Sequence, residues 1–164
     1  LVRGKVHTPF WTAVASLSEA LNGRADAPVL WGNLVAVETG GKDKRSPLAE
    51  RVRDAARAAT PALEDGQEGG GILPHVLRVA RPDAVVFFTG PHAFYAWEME
   101  QQLPGVRLEA VGGHRKSALA VVRHPTLPHA SFRSYHPNYL QLRGHLQDRM
   151  REVAQRVREM SSAG

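Results

Sequence analysis

The chain contains no cysteine among its 164 residues. This absence excludes disulfide bonds, thiolate nucleophiles, and every zinc or iron–sulfur site that is held by cysteine. Long apolar runs are also missing: the longest, AVVFF at 84–88, falls far short of the about 20 residues that a membrane-spanning helix needs. The opening sequence LVRGKVHTPFW has no apolar core of the kind found in signal peptides. We therefore expect a cytoplasmic protein without a membrane partner.

Acidic residues are absent from a long stretch in the second half of the chain. The net charge of +5 is only mildly basic, but residues 110–147 contain neither Asp nor Glu. Such a segment favours contact with phosphates, although a chance gap in an arginine-rich chain is the alternative explanation. The segment holds five of the eight histidines, and its other basic residues are Arg115, Lys116, Arg123, Arg133 and Arg143.

Hydrophobic periodicity predicts helices and strands in alternation. A helix starts at Thr8 and Pro9 and ends at Asn22 and Gly23, because apolar residues between these signals recur at helical spacing. Further helices are expected at about 46–59, 72–83, 91–102 and 142–160. Strands are expected at 28–37, 84–90, 106–111 and 118–124.

This order of elements predicts one α/β domain over residues 1–164. The near-continuous apolar strands favour a three-layer α/β/α sandwich around a mostly parallel, four-stranded sheet. In such sheets, ligands bind just past the carboxyl ends of the strands. The candidate ligand-binding residues are therefore Asn33, TGPH at 89–92, and RHPTLPH at 123–129.

Common catalytic and cofactor motifs are missing. The chain has no GxGxxG, no phosphate-binding loop signature, no GxSxG elbow and no HExxH. His124 and His129 are a conceivable metal pair, but two prolines separate them and no third ligand is obvious. We therefore expect neither a metal nor another cofactor.

Two polar residues stand out from their surroundings. Asn33 lies inside the apolar run LWGNLVAV at 30–37, where its amide is either satisfied by neighbouring backbone or offers a donor and an acceptor to a base. His136 precedes Pro137, which biases the histidine away from helical backbone. That histidine either caps local backbone or faces a ligand.

Three segments together resemble, in their order and spacing, the uracil-DNA glycosylase superfamily. VLWGNLVAV at 29–37 is similar to the family's apolar strand that carries the base-recognising Asn, and VVFFTGPHA at 85–93 to its central strand and glycine turn. HPNYL at 136–140 is similar to its last motif, His-Pro-Ser-Pro-Leu. The resemblance spans about residues 28–145. It implies a uracil-DNA glycosylase-like fold and metal-independent hydrolysis of the N-glycosidic bond of uracil, or of another damaged base, in DNA.

The resemblance also implies roles for the matching residues. Asn33 would bind the uracil edge, and His136 would donate a hydrogen bond to uracil O2 as negative charge develops there. Leu140 would wedge into the duplex as the base flips out. Phe10 and Trp11 are candidates for the ring that stacks on the base, with core packing as their alternative role. The other expected DNA contacts are Pro137, Asn138, Tyr139, Arg133 and Arg143.

The sequence departs from the family at two places. Asn138 and Tyr139 stand where the family has Ser-Pro, which alters the loop after the histidine. The family's first motif, which positions the attacking water, lies on a strand before the helix that corresponds to residues 10–21. We therefore expect that strand to be missing from this chain. Independently of this departure, the resemblance implies a monomer that binds DNA.

Two other functions stay open at this point. A binding module that has kept the fold without catalysis would bind DNA in a salt-dependent manner and release no base. An unrelated α/β hydrolase would use His136 as a general base. The hydrolase also needs a nucleophile, and no Ser or Thr has a convincing strand-to-helix elbow in the sequence.

Overall fold

The computed structural model describes residues 8–24, 29–32, 51, 54–55 and 72–162. Its fold is α/β, with a four-stranded mixed sheet. None of the described helices is long and apolar enough to cross a membrane. The helices with both bounds in the described residues are α1 (Pro9–Asn22), α2 (Ile72–Ala80), α3 (Ala93–Gln102), α4 (Pro137–Leu142) and α5 (Leu146–Ser161). The strands are β1 (Ala84–Phe87), β2 (Arg107–Ala110), β3 (Leu119–Arg123) and β4 (Ala130–Ser134).

The strand order in the sheet is β1-β4-β3-β2. β1 runs parallel to β4, whereas β3 runs antiparallel to both of its neighbours, β4 and β2. The expectation of a mostly parallel sheet is therefore wrong. The physical reason is the length of the links at 111–118 and 124–129, because a parallel crossover needs about a dozen residues or more.

β4 is a central strand that hydrophobic patterning does not predict. All five of its residues are buried, although three of them are polar. Ser131 donates from Oγ to the backbone oxygen of Pro128 at 2.7 Å, and Arg133 finds acceptors at the end of β1. Because Ser131 and Arg133 have partners in the protein, these two polar side chains can be buried, whereas the buried Ser134 Oγ has no hydrogen-bond partner among the described residues.

A strand was expected at 28–37, but the four of these residues that the structure describes do not form one. Residues 29–32 have no regular secondary structure, and Leu30 and Trp31 are 70% and 53% exposed. Residues 33–37, with Asn33, lie outside the described residues. The helix expected at 46–59 also lies outside them, except for helical backbone at 51, 54 and 55.

α1 begins and ends where the sequence predicts. The Thr8 Oγ1 atom accepts a hydrogen bond from the backbone N–H of Trp11 at 3.5 Å. Pro9 occupies the first turn, where its missing N–H leaves no intrahelical bond unmade. Gly23 follows the helix with φ of +72°, a left-handed conformation that favours glycine. These caps place the aromatic residues of the first turn at one end of the sheet.

Helices cover both faces of the sheet. α1 and α5 pack on one face, where Phe132 and Leu119 are fully buried beside Val153. α2 and α3 pack on the other face, around Phe87 and Met99. Successive strand residues alternate between these two cores, as the pleat of a β-strand requires. The expectation of helices on both sides of the sheet is thus confirmed.

A third group of buried residues closes the end of the sheet at which β1 and β4 finish. We call it the edge cluster: Ala13, Leu140, Leu146 and Met150. Leu140 is only 2% exposed. A residue that wedges into a duplex must stand clear of the protein surface, so the role expected for Leu140 is corrected. Leu140 joins α4 to α1 and α5.

Leu140 and Leu142 provide a matched pair of substitutions on α4. We expect Leu140→Ala to lower the free energy of unfolding by about 2–5 kcal/mol, because it leaves a cavity in the edge cluster. Leu142 is 85% exposed, so Leu142→Ala should change the same quantity by less than about 0.5 kcal/mol. Urea denaturation followed by circular dichroism measures both values. Equal losses in the two variants would contradict the assignment of Leu140 to the core.

Candidate functional site

The ends of β1 and β4 lie side by side because the two strands are parallel neighbours. β1 continues into residues 88–92, and β4 continues into residues 135–136. Residues 111–118, between β2 and β3, reach the same end of the sheet because β3 runs antiparallel to β4. We call this end, formed by the three segments, the carboxyl edge.

Arg133 connects β4 to the turn that follows β1. Its Nε donates to Thr89 Oγ1 at 3.0 Å, and its Nη2 donates to the backbone oxygen of Gly90. The Gly90 N–H in turn donates to the backbone oxygen of Ser134 at 2.9 Å. Together these bonds extend the pairing of the two strands beyond their last residues and hold the Gly90 turn in place.

Arg133 is therefore not the surface contact for DNA that the sequence suggested. Only 6% of its surface is exposed, and its donors are used inside the protein. Burial lowers the pKa of Arg133, but a guanidinium remains charged at neutral pH. Among the described residues no carboxylate pairs with it. A buried positive charge consequently lies beneath the carboxyl edge.

Gly90 is required by the backbone of this turn. Its φ is +59°, in the left-handed region that an L-amino acid with a side chain rarely adopts. A Cβ at this position would lie 3.5 Å from Cδ1 of Tyr135 and 3.9 Å from the backbone nitrogen of His136. A side chain at position 90 would therefore pack directly on the residues that follow β4.

His136 caps the N-terminus of α4 through one ring nitrogen. Its Nδ1 accepts a hydrogen bond from the backbone N–H of Asn138 at 3.2 Å, so the neutral ring carries its proton on Nε2. Partial burial lowers the pKa of His136 below its usual value of about 6.5, although the residue keeps an exposed surface. Its favoured form at neutral pH is an imidazole with Nε2–H as donor.

His92 repeats this arrangement at the end of the neighbouring strand. Its Nδ1 accepts from the backbone N–H of Phe94 at 3.2 Å and caps α3, and its ring lies edge-on to Tyr95 with centroids 5.8 Å apart. The sequence alone predicts a strand end at TGPH (89–92) but indicates no role for His92. Its signal was a histidine placed shortly after a glycine turn, as a helix begins.

Phe10 and Trp11 lie in an aromatic cluster that also contains Trp31 and Phe88. The Trp11 and Trp31 rings are nearly perpendicular, with centroids 5.3 Å apart. Phe10 contacts Phe88 with ring centroids 6.3 Å apart. Trp11 is 36% exposed and Trp31 is 53% exposed, whereas Phe10 is partly buried. Both tryptophans therefore have ring surface available to a ligand.

The aromatic cluster lies close to the turn that carries His136. Phe88, a member of the aromatic cluster, packs against the edge cluster. Tyr135, the residue before His136, packs against the same edge cluster. One layer of buried side chains thus connects the exposed tryptophans with the histidine cap.

Tyr139 and Arg143 form a second aromatic surface on α4 and its C-cap. The Tyr139 ring is 42% exposed and lies 4.6 Å from the Tyr135 ring, centroid to centroid. The Arg143 guanidinium lies 5.4 Å from the centre of the Tyr139 ring, within the range of a cation–π contact. Asn138 is exposed beside them, whereas Pro137 is buried. Of these four expected DNA contacts, only Pro137 is inaccessible.

We call residues 110–147, which contain neither Asp nor Glu, the acid-free segment. Only some of its basic residues lie at the carboxyl edge. Arg115 and Lys116 are exposed in the loop at 111–118, and neither pairs with a carboxylate within the ranges that the structure describes. Arg123 lies at the opposite end of the sheet, where its Nε is 3.0 Å from Glu109 Oε2. That arginine therefore serves the fold.

His124 and His129 also lie away from the carboxyl edge and form local hydrogen bonds. His124 contacts Thr126 Oγ1 through Nδ1 at 2.8 Å and the backbone oxygen of Pro104 through Nε2 at 3.1 Å. The Nδ1 of His129 lies 3.2 Å from Arg123 Nη1. In the described part of the chain, no three His, Asp or Glu side chains gather as a metal site.

Asn33, the expected base-reading residue, lies outside the described residues. Its described neighbours along the chain are residues 29–32, and the Trp31 ring lies 6.0 Å from the Phe10 ring, centroid to centroid. Residue 31 is thus at the aromatic cluster, but the site of the asparagine itself remains a prediction.

No protein-family model, no curated protein and no solved structure matches this chain. Function is therefore inferred from the geometry of the carboxyl edge and from the three sequence motifs.

We expect His136 to titrate below pH 6.5 in the folded protein, with Nδ1 unprotonated in the neutral form. Because the unfolded chain binds this proton more tightly, the contribution of His136 to stability is complete above the unfolded pKa. It falls as the pH drops toward the folded pKa. Imidazole NMR as a function of pH, assigned with His136→Asn, measures both midpoint and tautomer. A midpoint above 6.5, or a neutral ring protonated at Nδ1, would contradict the described cap.

Arg133→Met should loosen the Gly90 turn, because Thr89 and Gly90 lose their buried donor. We expect the free energy of unfolding to fall by about 1–3 kcal/mol and the Gly90 amide to exchange its hydrogen faster. Arg143→Met is the matched control, since this exposed arginine contacts only the Tyr139 ring among the described side chains. Hydrogen-exchange NMR and urea denaturation test both variants. Unchanged protection of the Gly90 amide in Arg133→Met would refute the assigned link.

Proposed function

We propose that this chain is a uracil-DNA glycosylase-like domain that hydrolyses the N-glycosidic bond of uracil, or of another damaged base, in DNA without a metal. The observation that carries the proposal is the His136 cap: Nδ1 is engaged by Asn138, so a neutral ring offers Nε2–H at the carboxyl edge. The three motifs support the same function. Asn33 is the proposed reader of the uracil edge.

The chemistry of this reaction requires a donor aimed at the base. When the bond between the anomeric carbon and the base nitrogen breaks, its electron pair leaves with the base, and negative charge develops on the base oxygens. Water adds to the anomeric carbon, and the base anion takes up a proton, so that one water is consumed per base released. A fixed donor such as the Nε2–H of His136 lowers this type of barrier by about 3–4 kcal/mol.

The buried charge of Arg133 supports the same step through its electric field. The guanidinium is bound to the Gly90 backbone oxygen, and the Gly90 N–H donates to the backbone oxygen of Ser134, two residues before His136. A positive charge without a carboxylate partner in the described residues favours an anion nearby, because the protein interior screens charge less than water does. The proposed role of Arg133 is therefore electrostatic stabilisation of the base anion, in place of the DNA contact expected from the sequence.

The surroundings of the edge suit a nucleic-acid partner. A glycosylase takes its base out of the stack and reads it in a pocket, and the exposed rings of Trp11 and Trp31 offer surfaces for bases. Arg115 and Lys116 are exposed on the adjoining loop, where they can contact phosphates. The monomeric state and the cytoplasmic location stay predictions from the sequence.

A binding module without catalysis is the second candidate. It is favoured by one observation: residues 88–92, 111–118 and 135–136 include no carboxylate to position an attacking water, and the Glu152 carboxylate that reaches this edge is bound to His114 at 2.7 Å. The family's water-positioning residue is expected upstream of the helix at 10–21. A general base at His136 is disfavoured, because the Nδ1 lone pair of the neutral ring is engaged by Asn138. The α/β hydrolase alternative therefore loses its principal residue.

Release of the base tests the proposal directly. The complete protein is incubated with uracil-containing single-stranded and double-stranded oligonucleotides, and abasic sites are then cleaved with alkali. We expect cleavage at the uracil position. His136→Asn should lower the rate about 10²–10³-fold with little loss of stability, because asparagine is itself a good helix cap.

The matched control is His129→Asn, since His129 lies at the opposite end of the sheet and its substitution should leave the rate unchanged. If the complete protein releases neither uracil nor any other deaminated base from either kind of strand, the glycosylase function is wrong. Salt-dependent DNA binding in that case would favour the binding module.

A further inference from the structure

We propose that the carboxyl edge takes a single-stranded segment of nucleic acid, whose bases stack on two exposed ring surfaces that are both linked to the turn of His136 through the edge cluster. The first surface is the Trp11–Trp31 pair, and the second is Tyr139 with Arg143. This inference rests on the proposed function and names its substrate class: the target base is presented in an unpaired strand rather than extracted from a duplex.

The position of Leu140 provides the first argument. An enzyme that flips a base out of a duplex must compensate for lost stacking, commonly with an apolar wedge. Leu140 is buried in the edge cluster, so it reaches a duplex only if α4 separates from α1 and α5. Leu142 is exposed, but with 85% of its surface in solvent it has little contact with the protein to hold it as a wedge.

The tryptophan pair provides the second argument. The faces of bases in a duplex are covered by the neighbouring base pairs, whereas each base of a single strand can stack on a protein ring. Trp31 and Trp11 keep 53% and 36% of their surface exposed while contacting each other edge to face. Such outward rings select unpaired bases of any sequence.

The second ring surface lies on α4, the helix that the His136 cap begins. Tyr139 packs on Tyr135, and Tyr135 and Phe88 both contact the edge cluster. Phe88 also belongs to the aromatic cluster around Trp11 and Trp31. A strand that crosses the carboxyl edge can therefore stack bases on both ring surfaces while the target base lies at His136.

Charge identifies the occupant as a nucleic acid. Arg143 lies over the Tyr139 ring, an arrangement that adds a cation–π contact and a phosphate partner to a stacked base. Arg115 and Lys116 are exposed on the loop at 111–118, which belongs to the acid-free segment. Exposed rings together with exposed cations at the same edge of the sheet suit a partner that carries both bases and phosphates.

The binding test uses oligonucleotides that contain no uracil, so that it is independent of base release. Fluorescence anisotropy, at one fixed salt concentration, compares the complete protein bound to a single strand, to the duplex of the same sequence, and to an oligomer of equal length made of abasic sites. We expect the single strand to bind at least about tenfold more tightly than either of the others, because only it offers free base faces.

Four variants assign the binding to the rings. Trp31→Leu and Tyr139→Leu should each weaken single-strand binding about tenfold, whereas Tyr139→Phe keeps the ring and should bind normally. Trp97→Leu is the control, because Trp97 is 43% exposed on α3 outside both ring surfaces. Circular dichroism verifies that all four are folded.

Several results would overturn the inference. These are equal or tighter binding of the duplex, unchanged single-strand binding in both leucine variants, and a selective loss of duplex cleavage in Leu142→Ala. Unchanged binding in both leucine variants would show that the rings do not bind nucleic acid and would favour a protein as their partner. Ring-dependent single-strand binding without base release refutes the glycosylase function and supports this inference. Base release with a preference for duplex supports the glycosylase function and refutes this inference.

Discussion

The bond network of Arg133 is the constraint on which the carboxyl edge depends. A buried guanidinium must find acceptors, and here they come from the turn after the neighbouring strand, at Thr89 and Gly90. The same turn donates back to β4 through the Gly90 N–H. Because the two turns are held in contact, the histidines that follow them, His92 and His136, lie on the same edge of the sheet.

Helix capping fixes the chemistry available at that edge. In both histidines Nδ1 accepts a backbone N–H, so a bond that begins a helix also determines which ring nitrogen carries the proton in the neutral form. For His136, partial burial lowers the pKa and adds a preference for that neutral form. A structural requirement of α4 and a donor for a developing anion are thereby met by a single side chain.

The sequence predicts those parts of the fold that depend on apolar periodicity and capping. α1 was bounded by Thr8 and Gly23, and β1, β2 and β3 were located by their apolar runs. β4 could not be found in this way, because three of its five residues are polar, and the acceptors that bind the buried Arg133 lie at Thr89 and Gly90, far away in the sequence. Strand direction was missed for a different reason: it follows from the short links around β3.

The site was predictable only where a residue restricts the conformation of the neighbouring backbone. His136 next to Pro137 marks a turn correctly, whereas the base-stacking role of Phe10 and Trp11 stays a prediction. Accessibility was not predictable, since Leu140 and Leu142 stand on one short helix and only tertiary packing buries the first. The role of His92 also depends on the neighbouring strand, which the sequence does not reveal.

The most direct measurement is NMR of the His136 Nε2 proton during titration with free uracil. We predict a saturable downfield shift, because this proton forms a hydrogen bond to a base oxygen. The Nδ1 bond to Asn138 is retained, and His136→Asn gives no such signal. A resonance that stays unchanged while uracil binds elsewhere, or a shift that reports loss of the cap, would contradict the central role assigned to this histidine.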